Sequence, residues 1–123
     1  MEVAVDSHAL FWYLSKNPKL SQKASKALDQ SPRIIVSVIV LLEIMYLLEK
    51  YGQEAKFKRV LEGLSLERYL IYPVDLALVK ECVLLPKSLE MHDRLIVATA
   101  KIFKAPLITK DKEITGFYKK VIW

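Results

Sequence analysis

Residues 34–48 read IIVSVIVLLEIMYLL, the most apolar window of the chain. Two structures compete for such a run: a membrane span, or a buried strand that turns directly into a buried helix. A span needs roughly 20 consecutive apolar residues, and this window is shorter and holds Ser37 and Glu43. A carboxylate in mid-membrane is expensive. The run is therefore read as a strand, IIVS at 34–37, feeding a helix from Val38, with Ser37 as its N-cap and Gly52 as its stop.

Working outward, the same alternation recurs. EVAVDS (2–7) is an apolar strand ending at Asp6, and HALFWYL (8–14) has helical character. Pro18 breaks the chain, and Ser21 is placed to cap a second helix, QKASKALDQ (22–30), in which Ala24, Ala27 and Leu28 share a face. Beyond Gly52, EAKFKRVLEGL (54–64) carries Phe57, Val60, Leu61 and Leu64 on one stripe, and RYLIYPV (68–74) is a third strand. Asp75 caps LALVKECVLL, which Pro86 ends. PKSLEM is a loop before the helix opened by MHDRLIVATA (91–100). APLIT (105–109) and KKVIW (119–123) complete five strands. Short strands, apolar on both faces and alternating with helices, predict a parallel sheet covered on both sides, with function at the C-terminal strand ends.

The totals agree with one core in a single domain spanning 1–123. The chain has 123 residues, 53% of them hydrophobic, and only three glycines. Lys and Arg exceed Asp and Glu by 19 to 14, a formal charge of +5 that mildly favours polyanionic partners. Cys82, the one cysteine, excludes an intrachain disulfide and a multi-cysteine zinc site, and is read as a buried thiol. MEVAVDSHAL lacks the basic start and long apolar core of a secretory signal. A cytoplasmic protein without a membrane role is expected.

Four acids sit where that architecture would gather them. Asp6 ends strand one, Glu43 lies on the helix after strand two, Asp93 opens the helix before strand four, and Asp111 follows strand four. Each also has a structural reading. Asp93 suits a helix N-terminus, where the dipole favours an acid, and Asp6 and Asp111 suit turns. Glu43 is harder to explain that way, because Val40, Leu41, Leu42, Ile44 and Met45 enclose it in sequence. Four clustered carboxylates raise one another's pKa, and a hard divalent cation, Mg²⁺ or Mn²⁺, removes the conflict. Such an ion activates water and stabilises charge on a phosphate.

VDSHALFWYLS, SVIVLLEI, HDRLIVATA and LITKD…VIW, in that order, resemble a PIN-domain ribonuclease, and among these the VapC-type toxins of prokaryotic toxin–antitoxin pairs. The resemblance runs from Glu2 to Trp123. It implies a three-layer α/β/α fold on a central, mainly parallel five-stranded sheet, and Mg²⁺-dependent cleavage of RNA, with Mn²⁺ as the alternative ion. By position, the family's catalytic, metal-binding acids fall on Asp6, Glu43, Asp93 and Asp111, with Thr109 and Ser37 as supporting hydroxyls. A homodimer and a cognate antitoxin, often silencing the site through an arginine, are the implied partners. Ser7 stands where relatives more often carry Thr, His92 stands where many carry a small residue or Pro, and the Asp111 position varies most across the family.

The rival from another class is a PIN-like module that binds RNA or protein without cutting. A receiver-like phosphohydrolase is disfavoured, because it needs paired acids after strand one and a phosphoacceptor after strand three, where Asp75 reads as a cap. Arg94 is expected to point away from the acids, with Ala98 and Ala100 letting the helix approach the sheet. His8, His92 and Glu90 are assigned surface or structural roles. Phe11, Trp12 and Tyr13 are assigned to core or dimer contacts ahead of base stacking, and the lysines at 101, 104, 110, 112, 119 and 120 suit an RNA backbone and a solvated face equally.

Overall fold

The computed structural model describes residues 1–123. Five strands, β1 (Val3–Val5), β2 (Ile34–Ser37), β3 (Tyr69–Tyr72), β4 (Leu107–Ile108) and β5 (Val121–Ile122), form one sheet in the order β3-β2-β1-β4-β5. Every pairing is parallel. The expected parallel α/β architecture is therefore present, and β1, β2 and β4 are buried throughout, which explains their lack of apolar–polar alternation.

Seven helices connect the strands: α1 (Ser7–Leu14), α2 (Gln22–Gln30), α3 (Val38–Lys50), α4 (Phe57–Gly63), α5 (Leu76–Val83), α6 (Met91–Ile102) and α7 (Lys112–Phe117). From β1 the chain moves outward through β2 to β3. It then crosses back over β1 to β4 and moves outward again to β5. Right-handed crossovers in these two directions put helices on opposite faces. Accordingly α1 packs on α2 and α3, while α5 packs on α6, which lies against β1 and β2. The reversal of direction falls between β1 and β4, and the crevice at such a reversal, beyond the carboxyl ends of the strands, is where open α/β sheets bind ligands.

Local chemistry sets the boundaries. The Ser21 hydroxyl accepts from Ala24 N–H at 3.0 Å to start α2, and Asp75 accepts from Leu78 N–H at 2.9 Å to start α5. Gly52, at φ 65°, ends α3: its N–H reaches Glu49 O and that of Gln53 reaches Leu48 O, the two bonds of a Schellman cap. Two elements differ from expectation. The helix expected over 54–64 begins with a tight 3₁₀ turn, Glu54–Lys56, before α4, and α7 lies between the last two strands where no helix was expected. No helix is long and apolar enough to cross a membrane.

Ala100 joins the main core, as its small size foretold, but Ala98 packs against Leu78 and Cys82 of α5 instead of the sheet. The Cys82 thiol is buried, and burial pushes its pKa up, so it packs as an apolar group. Arg94 departs from the expected outward course. It is half-buried, its Nε is enclosed without a hydrogen-bond partner, and its charge reaches Cys82 on α5.

Candidate active site

Asp6 occupies the carboxyl end of β1, on the strand-order reversal, and is 9% exposed. It is also the N-cap of α1: Oδ1 accepts from Ala9 N–H at 2.9 Å, while Oδ2 accepts from the Thr109 hydroxyl. Thr109, fully buried just beyond β4, accepts in turn from Asp111 N–H at 3.1 Å. One hydroxyl thus links the ends of the two strands that flank the reversal. Burial raises the Asp6 pKa against the opposing effect of the Thr109 and Ala9 hydrogen bonds and of His8, and Asp111 raises it further. Asp111 caps α7 by accepting from Glu113 N–H at 2.9 Å.

Glu43 comes from α3, on the other side of α1. Its Oε1 accepts from the Ser7 hydroxyl at 2.6 Å, and its Oε2 lies 3.6 Å from His92 Nδ1. Asp93 stands in the first turn of α6 but does not cap it. Glu90 does, accepting from His92 N–H at 3.1 Å. Asp93 is therefore free of helix duty, half-buried, and pushed up to about 6 by burial and by the charges of Asp111, Glu90, Glu43 and Glu113. Ser37 sits at the N-cap of α3 without a capping bond, and its hydroxyl is buried and unpartnered. The pairing of Ala4 with Ile35 places it level with Asp6.

Cavities open on both sides of α1. One, of about 370 Å³, is lined by Asp6, His8, Trp12, Lys110, Asp111 and Trp123. The other, about 480 Å³, is lined by Glu43, Ser7, His8 and His92 with the apolar side chains Ile39, Leu42 and Leu47 of α3. Acids thus stand around the reversal of a parallel sheet ordered 3-2-1-4-5. A family model described as PIN domain matches residues 3–120. The chain belongs to the PIN domain family.

Three solved structures show how closely this PIN domain follows the fold of others. A toxin–antitoxin complex from Klebsiella pneumoniae is similar at 23% identity and TM-score 0.72, covering 98% of this chain and 96% of that one. VapBC2 from Rickettsia felis, bound to a DNA fragment from its promoter, aligns at 18% identity and TM-score 0.74, with the same coverage of 98% and 96%. VapC20 of Mycobacterium tuberculosis, described as a sarcin-ricin loop cleaving toxin, aligns at 16% identity and TM-score 0.69, covering 95% and 97%. No curated protein matches the sequence at a significant level.

Within the PIN domain, all four predicted acids stand at or beside the C-terminal edge of the sheet, and the charges of Asp111 and Glu43 are both felt at Asp93. No three acidic or imidazole groups stand close enough together to enclose an ion. The donor set nonetheless fits a hard divalent cation in kind, because it is all carboxylate oxygen and short of positive charge. The ion pairs of the chain join Arg33 to Glu2, His92 to Glu43 and Glu90, and Lys101 to Glu81, so Asp6, Asp93 and Asp111 have none.

Sequence reasoning noted Ser7 only as standing for a Thr and gave His92 a surface or structural role, whereas both face Glu43; Trp12, assigned to core or dimer contacts, also walls the cleft beside Asp6. Ser7 and Glu43 are 36 residues apart. The available signal was a hydroxyl directly after the strand-end acid, on the helix that α3 must pack against.

Proposed function

We propose that this PIN domain is a metal-dependent endoribonuclease and the cytoplasmic toxin of a type II toxin–antitoxin pair, acting as one domain over 1–123. One observation carries the reading: Asp6, Asp93 and Asp111 stand at or beside one end of the sheet with no basic side chain in an ion pair with any of them, and Asp93 is pushed up to about 6 by burial and by its acidic neighbours. Like charges without a counter-charge disfavour one another's ionised forms, and a caps-and-turns account gives no reason to gather them.

Asp6, Glu43, Asp93 and Asp111 are the proposed holders of Mg²⁺, with Mn²⁺ as the alternative ion. A divalent ion there supplies an activated water and neutralises charge on the phosphate being cleaved. The rest is the work of this chain. Thr109 fixes the Asp6 carboxylate from one side while Ala9 N–H fixes it from the other. Ser7 holds Glu43 by one oxygen, leaving the second turned toward His92. Burial at the strand end keeps bulk water from solvating Asp6. Ser37 and Thr109 are supporting hydroxyls in this scheme.

The similar structures support the choice of partners: one is described as a toxin–antitoxin complex, one as VapBC2 bound to promoter DNA, and one as a sarcin-ricin loop cleaving toxin. We assign this chain an antitoxin partner, an RNA substrate and a homodimeric state. The apolar hollow beside Glu43 suits an antitoxin segment whose basic end reaches that acid.

The test is cleavage of a structured-RNA pool by purified protein with Mg²⁺, with Mn²⁺ and with EDTA. Cuts that need metal and vanish in folded Asp6→Asn and Asp93→Asn variants support the reading. RNA binding without any cut, with metal present, would instead establish a non-catalytic module.

A further inference from the structure

Both tryptophans of the chain wall the same cleft. Trp12 comes from α1 and Trp123 lies just past β5, and the roughly 370 Å³ space between them also takes in Asp6 and Asp111. Their ring centres are 6.1 Å apart and the planes are inclined by 57°, a tilted aromatic pair that forms one continuous wall of the cleft. His8 adds a third ring, 5.5 Å from Trp12 and tilted by 56°. Although Trp12 is only 8% exposed, part of its cover is two ammonium groups, Lys110 at 4.9 Å and Lys19 at 5.9 Å from the ring centre. Both lysines are solvent-exposed residues and can move aside.

On the other side of α1 the walls differ. The hollow beside Glu43 is built from the aliphatic Ile39, Leu42 and Leu47 with Tyr46 and the imidazoles of His8 and His92. Indole rings covered by lysines therefore occur on the Asp111 side of the acids alone. Aromatic faces stack on bases whatever their identity, and flanking lysines track the phosphates.

We propose that the Trp12–Trp123 cleft is a stacking subsite for an unpaired nucleobase next to the phosphate positioned at the acids, a proposal that rests on the endoribonuclease reading above. The base enters the cleft and takes the Trp12 face that the Lys110 ammonium covers, with Trp123 beside it. Lys110 and Lys19 then meet the adjoining phosphates. Because the base must offer a free face, the cleft selects loops and single strands over paired RNA. Trp12 and Trp123 are then specificity-determining groups, and neither takes part in bond cleavage.

The presence of both tryptophans at the cleft makes intrinsic fluorescence a direct report on it. Short single-stranded RNA, and an oligonucleotide of equal length carrying abasic residues, are titrated into the full-length protein in EDTA, so that no cleavage intervenes. The base-bearing RNA should quench the fluorescence and bind at least about fivefold more tightly than the abasic one. Trp123→Leu should remove that difference while leaving the circular dichroism spectrum and the phosphate-driven binding in place, and Trp123→Phe should restore it. Equal affinity for the two probes, or a base preference that survives in Trp123→Leu, overturns the proposal. Base-dependent binding by a protein that never cuts with metal keeps the subsite and discards the nuclease. Cutting without base-dependent binding does the reverse.

Discussion

The two ends of the sheet are built on opposite electrostatic terms. At the N-terminal end, before the strands begin, both arginines have partners, although the Nε of Arg68 is enclosed without one. Arg33 pairs with Glu2, Arg68 Nη2 donates to the carbonyls of Leu28 and Ser31, and the Ser31 hydroxyl bonds to the carbonyl oxygens of Met1 and Arg33. The Tyr13 hydroxyl, at the far end of α1, donates to Asp29 at 2.8 Å. At the C-terminal end the charge of Asp111 raises the pKa of both Asp6 and Asp93, no basic side chain forms an ion pair with any of the three, and the Ser37 hydroxyl is buried with no partner. Each end encloses an unpartnered polar atom, but like charges raise one another's pKa at the C-terminal end. Strain of this kind belongs where function needs it.

The comparison can be broken by exchanging charges at either end. Asp93→Asn should leave a folded protein whose RNA cleavage is lost by roughly 10²–10³-fold, the loss expected when several kcal/mol of charge stabilisation disappears at about 1.4 kcal/mol per tenfold. Arg68→Ala should do the opposite. It removes charge-assisted hydrogen bonds worth about 1.5–3 kcal/mol from the paired end, lowering the denaturation midpoint while the cleavage rate per folded molecule stays unchanged. A loss of activity in Arg68→Ala, measured well below its midpoint, would erase the division between the ends.

Smaller changes sharpen the same contrast. Thr109→Val removes the hydroxyl that donates to Asp6 and accepts from Asp111 N–H, and Ser7→Ala removes the one on Glu43. Groups that orient metal ligands are worth about 10–100-fold in affinity or rate. Thr109→Val belongs toward the upper end of that range, since it touches two acids, and Ser7→Ala toward the lower. Mg²⁺ titrations of both variants, with Thr109→Ser as the rescue, measure the order.

The smallest effect is on pH dependence. Asp93 loses its proton near pH 4 in an unfolded chain but near 6 in the folded one. The folded state therefore holds the extra proton between those values, and this group makes the metal-free protein less stable as pH rises from about 4 to about 6. Thermal melts of wild type minus Asp93→Asn across that range isolate the trend. A difference that rises with pH instead would mean that Asp93 has a cation partner in the protein.

Much of this was legible in the chain. The run at 34–48 had to be strand then helix, because Glu43 within it excluded a membrane and Gly52 supplied the stop. Ser21 and Asp75 announced their helices, since capping depends only on residues three apart. The four acids could be placed on the functional edge because a parallel sheet sends every strand end to one side. What escaped notice depends on contacts between distant segments. α7 is a six-residue helix with a glycine inside it and only Ile114 buried, so it carries no periodic signal. The inward turn of Arg94 and the facing of Ser7 and His92 on Glu43 are set by how α1, α3, α5 and α6 meet. Glu90, three residues before Asp93, takes the capping role, and that leaves Asp93 free for the site.

The central claim is that the unpaired edge exists to receive a divalent cation. Calorimetric titration of Mg²⁺ and Mn²⁺ into the metal-free protein above pH 7, alongside Asp93→Asn, tests it most directly. Saturable binding to the wild type, accompanied by a rise in melting temperature and absent from a folded Asp93→Asn, is the predicted result. A folded wild type that binds neither ion would contradict the account and return the acids to the role of caps and turns.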